Sequence, residues 1–295
     1  VYPNLIAFDF AGLAFRLSTY RFFVTISLLY LLFFAWKKLD YAFPAWKDRL
    51  WFLFFEVGAF FVGSRLLYAI LYVSEILNDP LLLFRFQLSH FSLYGGLGLS
   101  LAVWGLFSRR LKISFFPPLD ALAPHVGITL AMMKLGCFFN GCCYGTGTNL
   151  PWGVTFPVES SLQGWSESLK LFGLIPPKVH PAQLYEVGAA LLASAIAWVI
   201  VRKKSKEGLA TISFGICYTA LRWLIFYFRA FPRASDLSNL IRGPLVYGIA
   251  LAFFSLTLLK NTQQNTRENT RGRFFCAVNI FYIFFCYGIL LLCRS

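Results

Sequence analysis

Residues 134–157, KLGCFFNGCCYGTGTNLPWGVTFP, set a lysine, three cysteines and an asparagine where an apolar run breaks into a Gly/Thr/Asn/Pro loop. Polar, non-helical backbone at the end of a hydrophobic segment is tolerated where it lines an enclosed or water-filled cavity. Two arginines, Arg65 and Arg222, lie like Lys134 inside apolar runs, and Glu186 is the one well-placed carboxylate. Three cations against one carboxylate is the composition of an anion site. A phospholipid headgroup phosphate would fit, since arginine grips phosphate with a two-pronged fork while lysine acts as a point charge. The bland alternative is a glycine-rich helix end with long cations that separately reach the headgroups. That alternative is preferred for Arg229 and Lys178.

A reaction also needs a base. Of three histidines, His180 is the best placed, in HPAQLYE with Tyr185 and Glu186 on the next turns. Its plainer role is a helix-start residue before Pro181. His90 reads as a solvated helix-end residue and His125, after Pro124, as a packed one. Cys142 and Cys143 are adjacent, a poor geometry for a mutual disulfide. Cys137 and Cys142 approach each other if the helix breaks at Gly141. No second Cys/His pair has ligand spacing, so neither metal nor cofactor is expected. Cys217, Cys276, Cys286 and Cys293 lie in apolar runs and read as small hydrophobes.

The elements that must hold these groups follow from composition. Of 295 residues, 58% are hydrophobic, 19% aromatic and only 14% charged, and the mean hydropathy is +0.64. That is a polytopic, all-α integral membrane protein. A net charge of +14 then reflects basic cytoplasmic loops and anionic lipid, with no nucleic acid as partner. Apolar runs predict seven spans, at about 19–36, 50–73, 91–107, 117–139, 182–201, 209–228 and 244–259. Residues 1–18 precede them as an interfacial helix. No internal repeat is evident, which argues against a transporter of two homologous halves. After residue 260 a polar, disordered linker leads to an apolar run over 274–293, read as an accessory extension or an eighth span. The domain division is therefore 1–260, with the long connection 140–181, and 261–295.

Orientation follows from the basic residues. The loops after odd spans carry Lys37, Lys38, Lys47 and Arg49, then Arg109, Arg110 and Lys112, then Arg202, Lys203, Lys204 and Lys206, with four more after residue 259. The alternate loops are poor in them, which predicts the N-terminus and the 140–181 connection outside. Arg65, Tyr94, Lys134, His180, Glu186 and Arg222 then fall at similar depth toward the outer leaflet. A charge at the bilayer centre costs about 2.5–3.5 kcal/mol on insertion scales, so such groups should face one another or a polar cavity.

Five segments carry a family resemblance: GSRLLYAILY (63–72), FSLYGGLGLSLAVWGLFSRR (91–110), MKLGCFFNGCCYG through LPWGVTFP (133–157), HPAQLYE (180–186) and YTALRWLIFYFR (218–229). Together they resemble the bacterial prolipoprotein diacylglyceryl transferases over most of residues 19–260. That family moves the diacylglyceryl group of phosphatidylglycerol onto the lipobox cysteine of a prolipoprotein signal peptide, making a thioether and releasing glycerol phosphate. The resemblance implies a multi-pass protein of the bacterial cytoplasmic (inner) membrane, a monomer, with its active site toward the outer leaflet. It implies catalytic positions at Arg222, Lys134, Tyr94, His180, Glu186 and Cys142. It implies substrate contacts from Arg65, Asn140, Gly141, Gly145, Gln183, Tyr185, Tyr218 and Arg229.

The sequence departs from the family pattern on its acid–base side. The family's His-Gly-Gly reads Tyr94-Gly95-Gly96, its Arg-x-Gly-Asn reads Lys134-Leu135-Gly136-Cys137, and the acid of its Asn-Gly-Glu is Cys142. The acid expected four residues after Arg222 is Phe226. Two alternatives stay open beside lipobox transfer: a divergent paralogue with another acceptor, and a non-catalytic lipid- or lipoprotein-binding relative.

Overall fold

The computed structural model describes residues 4–10, 13–40, 43–71, 73–79, 81, 93–156, 178–230, 247–248, 251–252 and 254–257. Two strands, β1 (Asn4–Phe10) and β2 (Leu13–Ser18), precede the helices α1 (Thr19–Lys38), α2 (Trp46–Leu71), α3 (Val73–Asn78), α4 (Leu93–Leu111), α5 (Phe116–Asn140), α6 (Ala182–Arg202) and α7 (Leu209–Phe226). The chain divides into two units, Val1–Phe34 with Asp120–Asp236, and Ala35–Leu119 with Leu237–Ser295.

Among the described residues, five helices are long and apolar enough to cross a membrane: α1, α2, α5, α6 and α7. They coincide with the first, second, fourth, fifth and sixth runs expected from hydropathy. Their large apolar side chains point outward, as Leu29, Phe33, Trp51, Phe54, Leu192 and Leu224 do, which suits a lipid solvent rather than water. The chain is thus a multi-pass membrane protein. The expected third run forms α4, but Arg109, Arg110 and its glycines and serines keep its average hydropathy below that of the other five. Half of the expected seventh run lies outside the described residues, and the run 274–293 lies wholly outside them.

One expectation is corrected. The segment before α1 is not an interfacial helix, and the described fold is not purely helical. β1 and β2 pair antiparallel, with Phe8 opposite Phe15 and Phe10 opposite Leu13. The reason was in the sequence: Ile6, Phe8 and Phe10 alternate with other residue types, as do Leu13, Phe15 and Leu17. That period of two suits a strand and not a helix.

In the first unit, α6 buries a stripe of small residues, Ala182, Ala189, Ala190, Ala193, Ser194 and Ala197, together with Gln183 and Glu186. Small residues let membrane helices approach closely. Gly127 of α5 uses that space: a Cβ there would lie 2.6 Å from the Ser194 Cβ and 2.7 Å from the Ala190 carbonyl oxygen. Ser194 donates to the carbonyl of Pro124 at 2.5 Å, the proline inside α5. His125 is packed, as expected, stacked on Phe34 at 3.8 Å and hydrogen-bonded to the Tyr30 hydroxyl.

Asp120, in the first turns of α5, supplies the cap that α7 lacks. Gly208 at the N-cap has φ 82° and no side chain to cap with. The Asp120 carboxylate instead accepts from the Gly208 and Thr211 N–H groups at 2.5 and 2.8 Å, and from the Thr211 hydroxyl at 2.6 Å. A carboxylate suits a helix N-terminus by charge as well as by hydrogen bonding.

In the second unit, α2 and α4 cross at Gly63 and Gly95, where a Cβ on either would collide with the other's carbonyl oxygen. Arg49 holds the turn before α2, donating to the carbonyls of Trp36 and Phe43 and pairing with Asp40.

Candidate active site

Three elements of the first unit each present one ionised side chain to a common point. Glu186, one turn into α6, is 1% exposed. Its Oε2 lies 2.6 Å from Nζ of Lys134 on α5 and 2.5 Å from Nη1 of Arg222 on α7. Arg229, just past α7, reaches toward Oε1 at 3.7 Å. A buried carboxylate is stable only when paired and hydrogen-bonded, and the first two cations suffice for that. A third adds positive charge beyond what Glu186 alone neutralises, held in side chains that are at most 22% exposed. Excess cationic charge inside a low-dielectric site is a receptor for an anion.

Backbone pairing fixes this point. Gly145 bridges Arg229 antiparallel, and Val179 bridges both Gly147 and Val154. The Gly145 N–H donates to the His180 carbonyl at 2.8 Å, and the Thr146 N–H to that of Phe228 at 2.9 Å. Gly145 must be glycine, because a Cβ would strike the Phe228 carbonyl oxygen and lie 2.6 Å from the His180 Cβ. The loop 144–148 is thus laced between the segments that carry His180 and Arg229. This draws Arg229 into the cluster, where the sequence alone favoured a separate reach to the headgroups.

His180 is buried beside Phe228, and its Nδ1 sits 3.1 Å from the Tyr185 hydroxyl. Trp152 Nε1 donates to the same hydroxyl at 2.9 Å. The Tyr185 oxygen therefore accepts from Trp152 while its hydrogen is available to His180. Trp152 was missed as a site residue. It is 33 residues from Tyr185, and only the loop pairing brings them together.

The end of α5 organises the sulfurs. The Gly141 N–H bonds the Phe138 carbonyl and the Cys142 N–H bonds the Cys137 carbonyl, with Gly141 at φ 75°. This is a Schellman stop, with a left-handed residue just past the helix. It places Cys142 Sγ 3.7 Å from the Cys137 carbonyl oxygen, so the expected approach of those two cysteines occurs. Cys143 follows at φ 61°, which turns its side chain back, and all three sulfurs lie within 4.8 Å of one another. Hydrogen bonds from Cys137 and Cys142, helped by the charges of Lys134 and Arg229, hold the Cys143 thiol well below its ordinary pKa. Gln183, fully buried, donates from Nε2 to the Cys142 carbonyl at 2.6 Å. Its Oε1 has no hydrogen-bond partner among the described residues.

Of the positions named from the sequence, Lys134, Glu186, Arg222 and Arg229 meet directly. His180 and Tyr185 form the neighbouring hydroxyl–imidazole pair. Asn140, Gly141, Cys142, Gly145 and Gln183 build the turn beside them. Tyr218 is not in the ion cluster; it packs with Tyr185 and Leu221 against Ala182, Ala189 and Ile225. Arg65, half-buried in α2, and Tyr94, second residue of α4, belong to the other unit.

A family model described as prolipoprotein diacylglyceryl transferase matches residues 6–260. A relative from Pseudoalteromonas atlantica, named phosphatidylglycerol–prolipoprotein diacylglyceryl transferase, is 29% identical over 235 residues, covering 75% of this chain and 78% of its own length. One from Pseudomonas aeruginosa with the same name is 33% identical over 222 residues, covering 73% and 75%. Another so named, from Pectobacterium atrosepticum, is 34% identical over 182 residues, covering 57% and 62%. The match spans the cation cluster, the cysteine turn and the His180 segment alike, and on it the chain belongs to the prolipoprotein diacylglyceryl transferase family.

Proposed function

We propose that this chain transfers the diacylglyceryl group of phosphatidylglycerol to the lipobox cysteine of prolipoproteins. The names of its relatives give the substrates, and one observation within the chain carries the chemistry. Lys134 and Arg222 converge on the buried Glu186 at 2.6 and 2.5 Å with Arg229 behind them. The acceptor thiolate attacks the glycerol carbon that bears the phosphate. A C–S bond forms, the C–O bond breaks, and glycerol phosphate leaves with the bonding electrons. Charge builds on the departing phosphate, where Arg222, Lys134 and Arg229 neutralise it; one such donor is commonly worth about 10²–10³ in rate. Glu186 orients the cations and keeps them from repelling one another before lipid arrives. His180, paired with Tyr185, serves as the base in this reading. Gln183 Oε1 offers an acceptor to a glycerol hydroxyl or a peptide N–H. Arg65, Tyr94 and Tyr218 keep the roles the family resemblance assigns them, Tyr94 in catalysis and Arg65 and Tyr218 in binding substrate. One chain supplies all of these groups, so a monomer suffices.

The site faces the outer leaflet of the bacterial cytoplasmic membrane, with the N-terminus outside. The catalytic domain is 1–260 and the remainder is an extension, in keeping with where the family match ends. Topology reporters after residues 108 and 206 should then read cytoplasmic and one within 140–178 external; a cytoplasmic signal from that connection contradicts this orientation. The replacement of the family's acid–base residues by Tyr94, Cys142 and Phe226 favours a second reading, a binder of the same substrates without turnover. Purified protein given labelled phosphatidylglycerol and a lipobox peptide separates the two. Release of glycerol phosphate with a thioether-bearing peptide supports transfer. Tight lipid binding with no release supports the binder.

A further inference from the structure

The reading above makes no use of three thiols brought together at considerable conformational expense. A non-glycine residue in the left-handed region is strained, and Cys143 sits there with φ 61°. Weak S–H hydrogen bonds are a poor return for that. The set is chemically uniform, three sulfurs from Cys137, Cys142 and Cys143 within 4.8 Å, with Cys137 buried and the other two half-buried. Three soft ligands select a thiophilic cation over magnesium or calcium. Zinc–sulfur bonds of about 2.3 Å set ligand sulfurs roughly 3.8 Å apart in a tetrahedron, so side-chain shifts of about an ångström or less close the site. Charge agrees. Three thiolates and a dication leave one net negative charge, and Cys143 interacts with both Lys134 and Arg229. A disulfide would engage two sulfurs and strand the third, and the adjacent pair is badly disposed for one.

We propose that Cys137, Cys142 and Cys143 bind zinc through three thiolates, leaving the fourth position open to the thiol of the acceptor. Three protein ligands with one open position is the pattern of catalytic rather than structural zinc, and a coordinated thiol is deprotonated outright. The metal thus makes the thiolate where the family's own acid–base residues are replaced. This second half rests on the transfer reading; the metal site does not. Binding displaces to solvent the protons that the cysteines still carry. The acceptor thiol then loses its proton to solvent on coordination, and its sulfur attacks the glycerol carbon. The C–S bond forms as the C–O bond to phosphate breaks, and glycerol phosphate leaves with the bonding electrons. The thioether formed is a weak ligand and leaves the position free.

The test uses the full chain in detergent, reduced and stripped with a chelator, then titrated with zinc or with cobalt(II) as its coloured substitute. The expected result is one tightly held ion per chain, with sulfur-to-cobalt charge-transfer and tetrahedral ligand-field bands. Both should be lost in Cys137→Ser and Cys143→Ser and kept in Cys217→Ser. Because a serine variant can lose its fold, wild type is also alkylated and weighed intact. Zinc should shield Cys142 and Cys143 from label that reaches them in the stripped protein. Substoichiometric uptake, or labelling unaffected by zinc, overturns the site. For the open position, a cysteine lipobox peptide should shift the cobalt spectrum and its serine analogue should not; no shift overturns that half. Metal uptake is read without lipid, so failed transfer with stoichiometric zinc removes the transfer reading and leaves the site standing.

Discussion

Two carboxylates in the first unit face opposite solutions to the same problem. Asp120 is satisfied by neutral donors, two N–H groups and a hydroxyl at the start of α7. Glu186 is surrounded by ions, and by more of them than it can neutralise. The first arrangement is closed: its donors and acceptors are matched, and it has nothing to offer a ligand. The second is open, since one carboxylate does not balance three cations and they keep positive charge to offer an anion. Buried charge alone does not mark a site in this molecule; unbalanced buried charge does.

The sharpest way to break that contrast is Arg222→Gln. Transfer should fall about 10²–10³-fold while the unfolding midpoint barely moves, because Glu186 keeps Lys134 and Arg229. Arg222→Lys should recover only part of the rate, since an ammonium cannot reproduce the two-pronged grip. A smaller loss is expected for Lys134→Gln. Lys134→Arg should be tolerated, because it keeps the charge and restores the residue that the family pattern has there. Steady-state release of glycerol phosphate reads all four. The least effect on rate should come from Asp120→Asn, which weakens the cap on α7. It should cost about 1–2 kcal/mol in stability, seen as a lower melting temperature, with transfer per folded molecule unchanged. Should Asp120→Asn impair transfer as much as Arg222→Gln, the distinction between the two carboxylates collapses.

The sequence disclosed the two kinds of region unequally. The five apolar helices lie within a few residues of where hydropathy put them, because length and composition are local properties. Lys134, Glu186 and Arg222 were legible as well, since ionisable groups inside such runs are expensive enough to demand a reason. Arg229 was read as a separate headgroup contact. Its pairing with the cluster depends on the bridge between Gly145 and Arg229, a contact across more than eighty residues that no local pattern announces. The tie between Trp152 and Tyr185 was hidden for the same reason. The turn at Gly141 was foreseeable from its glycine, but the positive φ at Cys143 was not, so the approach of the first two sulfurs was anticipated and that of the third was not. The opposite error befell residues 4–18. Their period of two was in plain view, yet the segment was read as an interfacial helix.

The claim that surplus charge around Glu186 exists for a lipid phosphate is tested most directly by binding, before any chemistry. Native mass spectrometry of the detergent-solubilised protein should compare phosphatidylglycerol with diacylglycerol of the same acyl chains, in wild type and in Arg222→Gln. A hydrogen bond to a charged group is worth about 1.5–3 kcal/mol. Wild type should therefore prefer phosphatidylglycerol by at least about tenfold, and the variant should lose most of that preference while binding diacylglycerol as before. Equal affinity of wild type for both lipids, or an undiminished preference in Arg222→Gln, would contradict the account.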